Sequence, residues 1–159
     1  MITTLTLLPI SKGSFKADFK RANRLKMEEL ILAASALIIH KGKILFVRSN
    51  TTQEQWAFPG GKLEKNETPQ QTVIREIKEE LGLDLDIKGG LGSYIYISEN
   101  KEFDIRCFIA ESKTSDLRAD PNEIIEAKWC TLKEGLALNL TSTTREALEN
   151  FTSEFRRQP

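Results

Sequence analysis

The sequence has 159 residues, a length typical of one domain, and its 40% hydrophobic and 29% charged residues are ordinary for a globular protein. Lys and Arg together number 23, as do Asp and Glu, so the net charge is zero and general electrostatic binding to long nucleic acid or to an acidic membrane is not expected. No apolar run approaches the roughly 18 residues that a membrane span needs, and we expect a cytoplasmic protein.

The N-terminal 32 residues differ from the rest of the chain. Met1 to Ile10 is mildly apolar, Ser11 to Lys26 is basic and polar, and Met27 to Leu32 is apolar again. A short strand followed by an amphipathic helix fits this pattern, and so does a mobile extension. We therefore treat residues 1–32 as an N-terminal extension of unclear role and residues 33–159 as the domain.

A β-hairpin and a glycine-containing turn are predicted next. Ala33 to Ile39 is expected to be a buried strand, with His40 at its partly exposed end, and Ile44 to Arg48 its hairpin partner. The apolar run Trp56 to Phe58 is stopped by Pro59 to Gly61, for which a turn is predicted because paired glycines permit positive φ and close approach of other groups.

The strongest helix prediction covers Thr68 to Leu81. Thr68 is a suitable N-cap, Pro69 suits the first helical position, and Gln71 completes a capping box. Gly82 is well placed to end the helix. The predicted packing face consists of Val73, Ile74, Ile77 and Leu81.

Further strands and a last helix follow. A second hairpin and one more strand are predicted from hydrophobic runs, a polar loop separates them, and a capping box opens the final helix. The order of strands and helices favours an α+β fold, an α/β/α sandwich in which helices flank a mixed β-sheet. We expect Cys107 and Cys130 to be buried free thiols. The predicted segments are Leu91 to Ser98, Phe103 to Glu111, Ser112 to Asn122 (loop), Ile124 to Leu132, and a helix from Thr143 to Phe155.

Three glutamates on the predicted helix carry the chemical signal. Glu76, Glu79 and Glu80 stand at i, i+3 and i+4, so they share one helix face beside the apolar stripe. Like charges at this spacing repel one another, and a hard divalent cation such as Mg²⁺ would offset the repulsion. A solvated acidic face, partly neutralised by Arg75 and Lys78, is the alternative explanation.

The residues around these glutamates resemble the signature of the Nudix hydrolases. That pattern is G-x5-E-x7-R-E-U-x-E-E-x-G-U, where U is aliphatic, and the chain meets it at every specified position from Gly61 to Leu83. The resemblance implies the Nudix fold and a pyrophosphohydrolase that uses Mg²⁺, with Mn²⁺ as a substitute. It covers about residues 33–150 in the order of elements.

The resemblance also implies roles for individual residues. Glu76, Glu79 and Glu80 would hold the metal ions, joined by the backbone carbonyl of Gly60. Arg75 would orient a glutamate through a bidentate pair. A later loop could supply a further ligand or base, for which Glu123 is the first candidate and Glu126 the second. The motif-supporting residues are Gly61, Glu67 and Gly82.

The substrate has to be recognised outside this motif. Arg48 and Arg106 are candidates for phosphate contact, and Trp56 and Phe58 for stacking on a base, as are Tyr94, Tyr96 and Phe108, although each aromatic residue could equally belong to the core. The expected partner is a small nucleotide: a nucleoside triphosphate first, then ADP-ribose or another sugar nucleotide, then a dinucleoside polyphosphate or capped RNA end. A homodimer is a further option. A non-catalytic nucleotide sensor is the alternative function, although such domains usually lack one of the metal glutamates.

Overall fold

A single mixed sheet with helices on both faces forms the molecule. The computed structural model describes residues 29–157. Within this range the elements are β1 (Glu29–His40), β2 (Lys43–Ser49), β3 (Gly60–Lys62), α1 (Pro69–Leu81), β4 (Leu85–Ser98), β5 (Lys101–Ser112), β6 (Ile124–Cys130), α2 (Leu132–Leu136) and α3 (Ser142–Arg157).

The sheet opens between β1 and β2. Its order is β4-β5-β1-β2-β6, with β1 and β5 parallel and the other pairs antiparallel. β1 pairs with β2 only at the hairpin end, Ile39 to Ile44, and farther along its edge β1 pairs with β3 instead. Residues 57–62 therefore lie in the gap, where Ala57 exchanges backbone hydrogen bonds with Val47 of β2.

The predicted turn at Pro59 to Gly61 is wrong. Gly60 and Gly61 belong to β3, opposite Ser35 and Ala34, and neither glycine has positive φ. The two glycines instead allow neighbouring groups to approach the backbone of β3 closely. A Cβ atom on Gly60 would overlap the carbonyl oxygen of Ala34, and a Cβ atom on Gly61 would overlap the carboxylate of Glu76.

The two sheet faces bury separate apolar clusters. One cluster lies under α1 and joins Val73 and Ile77 to side chains of β1, β2 and β5. The other lies under α3 and joins Leu148 and Phe151 to the opposite face, including Phe46. This arrangement confirms the predicted sandwich of helices around a mixed sheet.

Helix α1 follows the prediction closely. Thr68 is the N-cap and forms the full capping box with Gln71, while Gly82 ends the helix in the left-handed conformation with φ 71°. Thr72, Val73, Ile77 and Leu81 are buried. Ile74 is 46% exposed, so its assignment to the packing face is wrong, because it lies at the border of the buried stripe.

The other elements differ from the predictions mainly at their ends. The second hairpin is confirmed, with Glu99 and Asn100 at positive φ in its two-residue turn. β6 ends at Cys130, because Thr131 and Glu134 form the capping box of the unpredicted helix α2. The last helix begins earlier than predicted, after Thr141, whose hydroxyl accepts from the backbone N–H of Thr144.

The remaining expectations concern the termini and single residues. β1 begins at Glu29, four residues before the expected start of the domain, and residues 1–28 lie outside the described residues. Cys107 and Cys130 are buried free thiols, as predicted. His40 is the partly exposed last residue of β1, where Nδ1 lies 2.7 Å from the carbonyl oxygen of Ser112. None of the helices within residues 29–157 has the length and apolar character to cross a membrane.

Candidate active site

Helix α1 and the loop before β6 bring four glutamates to one cavity wall. Glu76, Glu79 and Glu80 line the cavity from α1, and Glu123 lines it from the loop. Backbone hydrogen bonds fasten this loop to the end of α1, since Arg118 N donates to Leu81 O (2.9 Å) and Asp120 N donates to Glu80 O (2.8 Å). The helix cap and the loop therefore position the four glutamates together, and Asp120 of the loop lines the same cavity.

Arg75 is the centre of an ion-pair network beneath these acids. Its Nε and Nη2 donate to the two oxygens of Glu67 at 2.6 and 3.0 Å. Its Nη1 donates to Glu76 at 2.6 Å and to Glu79 at 3.4 Å. Nη2 also reaches the carbonyl oxygen of Lys62 at 3.3 Å, so one guanidinium connects α1, β3 and the loop between them.

Glu67 is held as an anion by this network. It accepts from the hydroxyl of Thr72 at 2.7 Å and from the backbone N–H of Glu64 at 3.0 Å, in addition to Arg75. These hydrogen bonds, that of Arg75 first, lower the pKa of Glu67 from 4.5 to about 2. The same pairing raises the pKa of Arg75. Glu67 thus fixes the guanidinium that in turn holds Glu76.

Glu80 has the opposite electrostatic environment. Burial, followed by the charge of Glu76, a hydrogen bond with Glu76 and the charges of Glu123 and Glu79, raises its pKa from 4.5 to about 8. Without a cation, this part of the cavity wall carries more carboxylates than it can keep ionised at neutral pH.

The cavity has a volume of about 910 Å³. Besides the carboxylate wall, it has a second group of lining residues that are mostly uncharged, and we call this part of the cavity the aromatic compartment. That compartment lies against the α3 face of the sheet, where Ser35 of β1 and Ile105 of β5 form part of its wall. The first turn of α3 closes one side with a run of hydroxyl side chains. The aromatic residues on the wall are Phe58, Tyr94, Tyr96 and Phe103.

The candidates for substrate binding divide between the cavity and other places. Phe58, Tyr94 and Tyr96 line the cavity. Arg48, Trp56 and Arg106 are not among its lining residues. Arg48 instead pairs with Glu126 at 2.8 Å and lies 5.4 Å from the ring centre of Trp56.

Because Glu126 forms an ion pair with Arg48, its carboxylate is not grouped with the acids of α1. Glu126 is also not among the residues that line the cavity. Phe108 is buried in the cluster under α1.

Lys62 is a cavity residue that the sequence reasoning missed. It follows Gly61 on β3, and its ammonium lies 5.9 Å from the ring centre of Phe103. No ion pair to a carboxylate within residues 29–157 involves Lys62. Its place immediately after the two glycines was the available signal.

The donor set suits a hard divalent cation. Carboxylate oxygens predominate, and Gly61 leaves the space that the Glu76 side chain occupies against β3. In the described part of the chain, no three acidic, His or Cys side chains already surround one point as a closed metal cage. Mg²⁺ does not need such a cage, since it keeps several waters and uses few carboxylates together with substrate phosphates.

Comparisons with known proteins agree with this geometry. The NUDIX domain model matches residues 29–151. The CTP pyrophosphohydrolase of Escherichia coli (strain K12) is 27% identical over 126 residues, which are 77% of this chain and 92% of that protein. An uncharacterized Nudix hydrolase of Listeria monocytogenes is 32% identical over 125 residues, 74% of this chain and 73% of that protein. The crystal structure of a MutT protein from Methanosarcina mazei Go1 matches with a TM-score of 0.74 at 27% identity, covering 81% of this chain and 97% of the other.

Proposed function

The chain belongs to the Nudix hydrolase family, whose members act on pyrophosphate bonds, and from that premise we propose that it is a Mg²⁺-dependent nucleoside triphosphate pyrophosphohydrolase. Water would attack a phosphoanhydride bond and release a nucleoside monophosphate and pyrophosphate. The observation that carries this proposal is the single cavity that joins the carboxylate wall of α1 to an aromatic compartment. One molecule with a polyphosphate and a base would occupy both parts.

Three glutamates of α1 hold the cation in this proposal. Glu76, Glu79 and Glu80 supply carboxylate oxygens, the carbonyl of Gly60 is a further donor, and Glu123 faces them from the loop. When bound, Mg²⁺ supplies positive charge against the phosphates and makes water a stronger acid. The support for its presence is the burial of Glu80 among other carboxylates, which raises the pKa of Glu80 to about 8.

Arg75 acts through Glu76 and not on the substrate. Its guanidinium is engaged by Glu67 on one edge and by Glu76 on another, so it sets the position of a metal-binding carboxylate. Glu67 completes this arrangement and is a positioning residue. Gly82 belongs to the same set because it ends α1 directly after the glutamates.

Lys62 is the cavity cation that we assign to the substrate. Arg75 is surrounded by carboxylates, whereas Lys62 lies at the cavity wall, at the end of β3, without a carboxylate partner among the described residues. The ammonium group of a flexible lysine side chain binds phosphate as a point charge. We therefore assign Lys62 to the part of the polyphosphate that lies beyond the carboxylate wall.

The aromatic compartment is the proposed base site. Phe58 and Tyr94 are buried in the cluster under α3, and Tyr96 is 45% exposed at the wall, so Tyr96 has the most ring surface available to a ligand. Aromatic stacking is tolerant of base identity. The similarity to a CTP pyrophosphohydrolase supports a nucleoside triphosphate over ADP-ribose or a dinucleotide.

A substrate panel tests the proposal. Ordinary and oxidised nucleoside triphosphates, ADP-ribose, sugar nucleotides and dinucleoside polyphosphates would be incubated with the enzyme in Mg²⁺ or in EDTA, and the products separated by chromatography. We expect Mg²⁺-dependent conversion of a triphosphate to a monophosphate and pyrophosphate, with loss of that activity in Glu79→Gln.

The other outcomes separate the alternatives. Release of phosphate instead of pyrophosphate, or cleavage of ADP-ribose alone, would contradict the proposed substrate while keeping the enzyme class. Nucleotide binding without any cleavage across the panel would instead support the sensor function.

A further inference from the structure

The segment between β2 and β3 is fastened along one edge to the residues that lead into α3. Trp56 N donates to Asn139 O at 2.8 Å, and Trp56 O accepts from Thr141 N at 2.9 Å. The next residue faces the other way, since Ala57 exchanges two hydrogen bonds of 2.9 Å with Val47 of β2. Neighbouring residues of an extended chain direct their backbone groups to opposite sides, so the residue after Ala57 faces α3 again.

That residue, Phe58, has a side chain as the partner of its backbone N–H. Phe58 N donates to the hydroxyl oxygen of Thr144 at 3.3 Å, and the hydroxyl of Thr141 donates to the same oxygen at 2.9 Å. Phe58 and Thr144 are both buried. A buried N–H that loses its acceptor disfavours the conformation in which it lies. The Thr144 hydroxyl therefore holds the Phe58 backbone through a contact that a substitution can remove.

Phe58 lies two residues before Gly60, whose carbonyl is a donor in the proposed metal site. Pro59 between them has a restricted φ, and its carbonyl oxygen accepts from Ala36 N at 3.0 Å. Gly60 itself lies so close to β1 that a Cβ atom would overlap the carbonyl oxygen of Ala34. This short stretch has little freedom to absorb a displacement. The direction of the Gly60 carbonyl therefore depends on Phe58 at one end and on β1 at the other.

The rest of the segment has anchors that do not depend on Thr144. Trp56 keeps its two backbone hydrogen bonds, and its ring is buried with the ammonium of Lys128 4.3 Å from the ring centre. Ala57 keeps its pairing with β2. Loss of the Thr144 hydroxyl is therefore expected to loosen only residues 58–60, so its effect on the metal donor can be separated from general unfolding.

We propose that Thr144 is a positioning residue, which orients the Gly60 carbonyl toward the metal ion by holding the backbone N–H of Phe58. Thr144 also lines the aromatic compartment, so its hydroxyl joins the α3 side of the cavity to the metal-binding side. This role rests on the proposed Mg²⁺-dependent function, because it takes the Gly60 carbonyl as a metal donor. It does not depend on which nucleotide is cleaved.

Metal titration of the full chain tests this role. Thr144→Val keeps the shape of the side chain but removes the acceptor, whereas Thr144→Ser keeps the hydroxyl. Calorimetric titration with Mn²⁺, which takes the same oxygen ligands as Mg²⁺, measures metal affinity without substrate. We expect Thr144→Val to bind Mn²⁺ about tenfold more weakly and to need about tenfold more Mg²⁺ for half-maximal activity. Its KM for nucleotide at saturating Mg²⁺ should stay within about twofold of the wild type, and Thr144→Ser should restore the metal affinity.

Thr152→Val is the matched control on the same helix. Its hydroxyl donates to Glu149 O at 2.8 Å, and Thr152 is not among the residues that line the cavity. This variant should bind Mn²⁺ as the wild type does. If Thr144→Val does not fold, Thr144→Cys offers a weaker acceptor at nearly the same position and should show a smaller loss of metal affinity.

Two results would overturn the role of Thr144. A raised KM with unchanged metal affinity would mean that Thr144 contacts the substrate itself. A lower Tm with unchanged metal affinity would mean that its hydroxyl only stabilises the fold. If the wild type binds Mn²⁺ but cleaves no nucleotide, the proposed activity fails, whereas the metal titration still decides the role of Thr144.

Discussion

Arg75 has a geometry that a lysine cannot reproduce. Its two parallel hydrogen bonds to Glu67 leave Nη1 free to hold Glu76, and both contacts depend on the planar guanidinium. Arg75→Lys keeps the positive charge but loses this fork. We expect turnover or metal affinity to fall by about 10- to 100-fold, measured by steady-state kinetics over a Mg²⁺ titration.

Glu67→Gln provides the comparison for Arg75→Lys. If the two residues act as one unit, the double variant should be little worse than either single variant. Multiplying losses would mean that Glu67 and Arg75 act independently and that the positioning role is wrong.

In the proposed site, Glu79 and Glu80 affect turnover more directly than Arg75 and Glu67 do, because they bind the metal ion themselves. Removal of one charged ligand costs several kcal/mol of transition-state stabilisation, and each 1.36 kcal/mol is a factor of ten. Glu79→Gln or Glu80→Gln should therefore lower kcat at least about 100-fold while the folded state is retained, as followed by circular dichroism. Glu149→Gln, an exposed change on α3, is the control, and full activity of the α1 variants with Mg²⁺ would refute the metal assignment.

At the scale of elements, β3 is packed tightly between β1 and α1, and its two glycines lie too close to these neighbours to carry a Cβ atom without a clash. Gly60 abuts backbone of β1, whereas Gly61 abuts the side chain of Glu76 on α1. Side chains can rotate and paired strands cannot move apart cheaply. Alanine at these two adjacent positions should therefore have different effects.

Gly60→Ala should mainly destabilise the fold, and Gly61→Ala should mainly impair the site. We expect about 1–3 kcal/mol of lost stability for Gly60→Ala, measured by denaturant unfolding. Gly61→Ala should unfold at nearly the wild-type denaturant concentration but bind Mg²⁺ at least about tenfold more weakly, because Glu76 is displaced. The same stability loss in both variants would contradict this distinction.

For the whole molecule, the burial of Glu80 among other carboxylates links stability to pH in the absence of metal. A carboxyl group whose pKa is raised in the folded state binds its proton more tightly there than in the unfolded chain. Its stabilising contribution is complete below pH 4.5 and is lost as the pH rises through about 8. Metal-free protein should therefore lose stability between about pH 4.5 and 8, with no further loss from Glu80 above that range.

Glu80→Gln isolates this contribution, since the amide resembles the protonated acid. In EDTA at pH 9 the variant should be more stable than the wild type in urea unfolding, although it is catalytically impaired. Mg²⁺ should reduce the difference by stabilising the ionised wild-type site. Parallel pH profiles of the two proteins would show that Glu80 titrates normally.

The sequence determined the features that depend on local spacing. The capping box of Thr68 and Gln71, the stop at Gly82 and the common face of Glu76, Glu79 and Glu80 all follow from helix geometry within a few turns. Strand periodicity and turn residues similarly gave the two hairpins and the sandwich of helices and sheet. The intact motif then identified the enzyme family before any long-range contact was known.

Features that depend on contacts between residues distant in the chain could not be predicted from local spacing. Pro59 to Gly61 has the composition of a turn. Its two glycines nevertheless belong to strand β3, because they pair with Ala34 and Ser35 of β1. Arg48 is engaged by Glu126, 78 residues away, and Lys62 reaches the cavity because β3 fills the gap between β1 and β2. The burial of Glu102 is of the same kind, because a charged side chain alternating with apolar ones predicts a solvent-facing position until its neighbours in space are known.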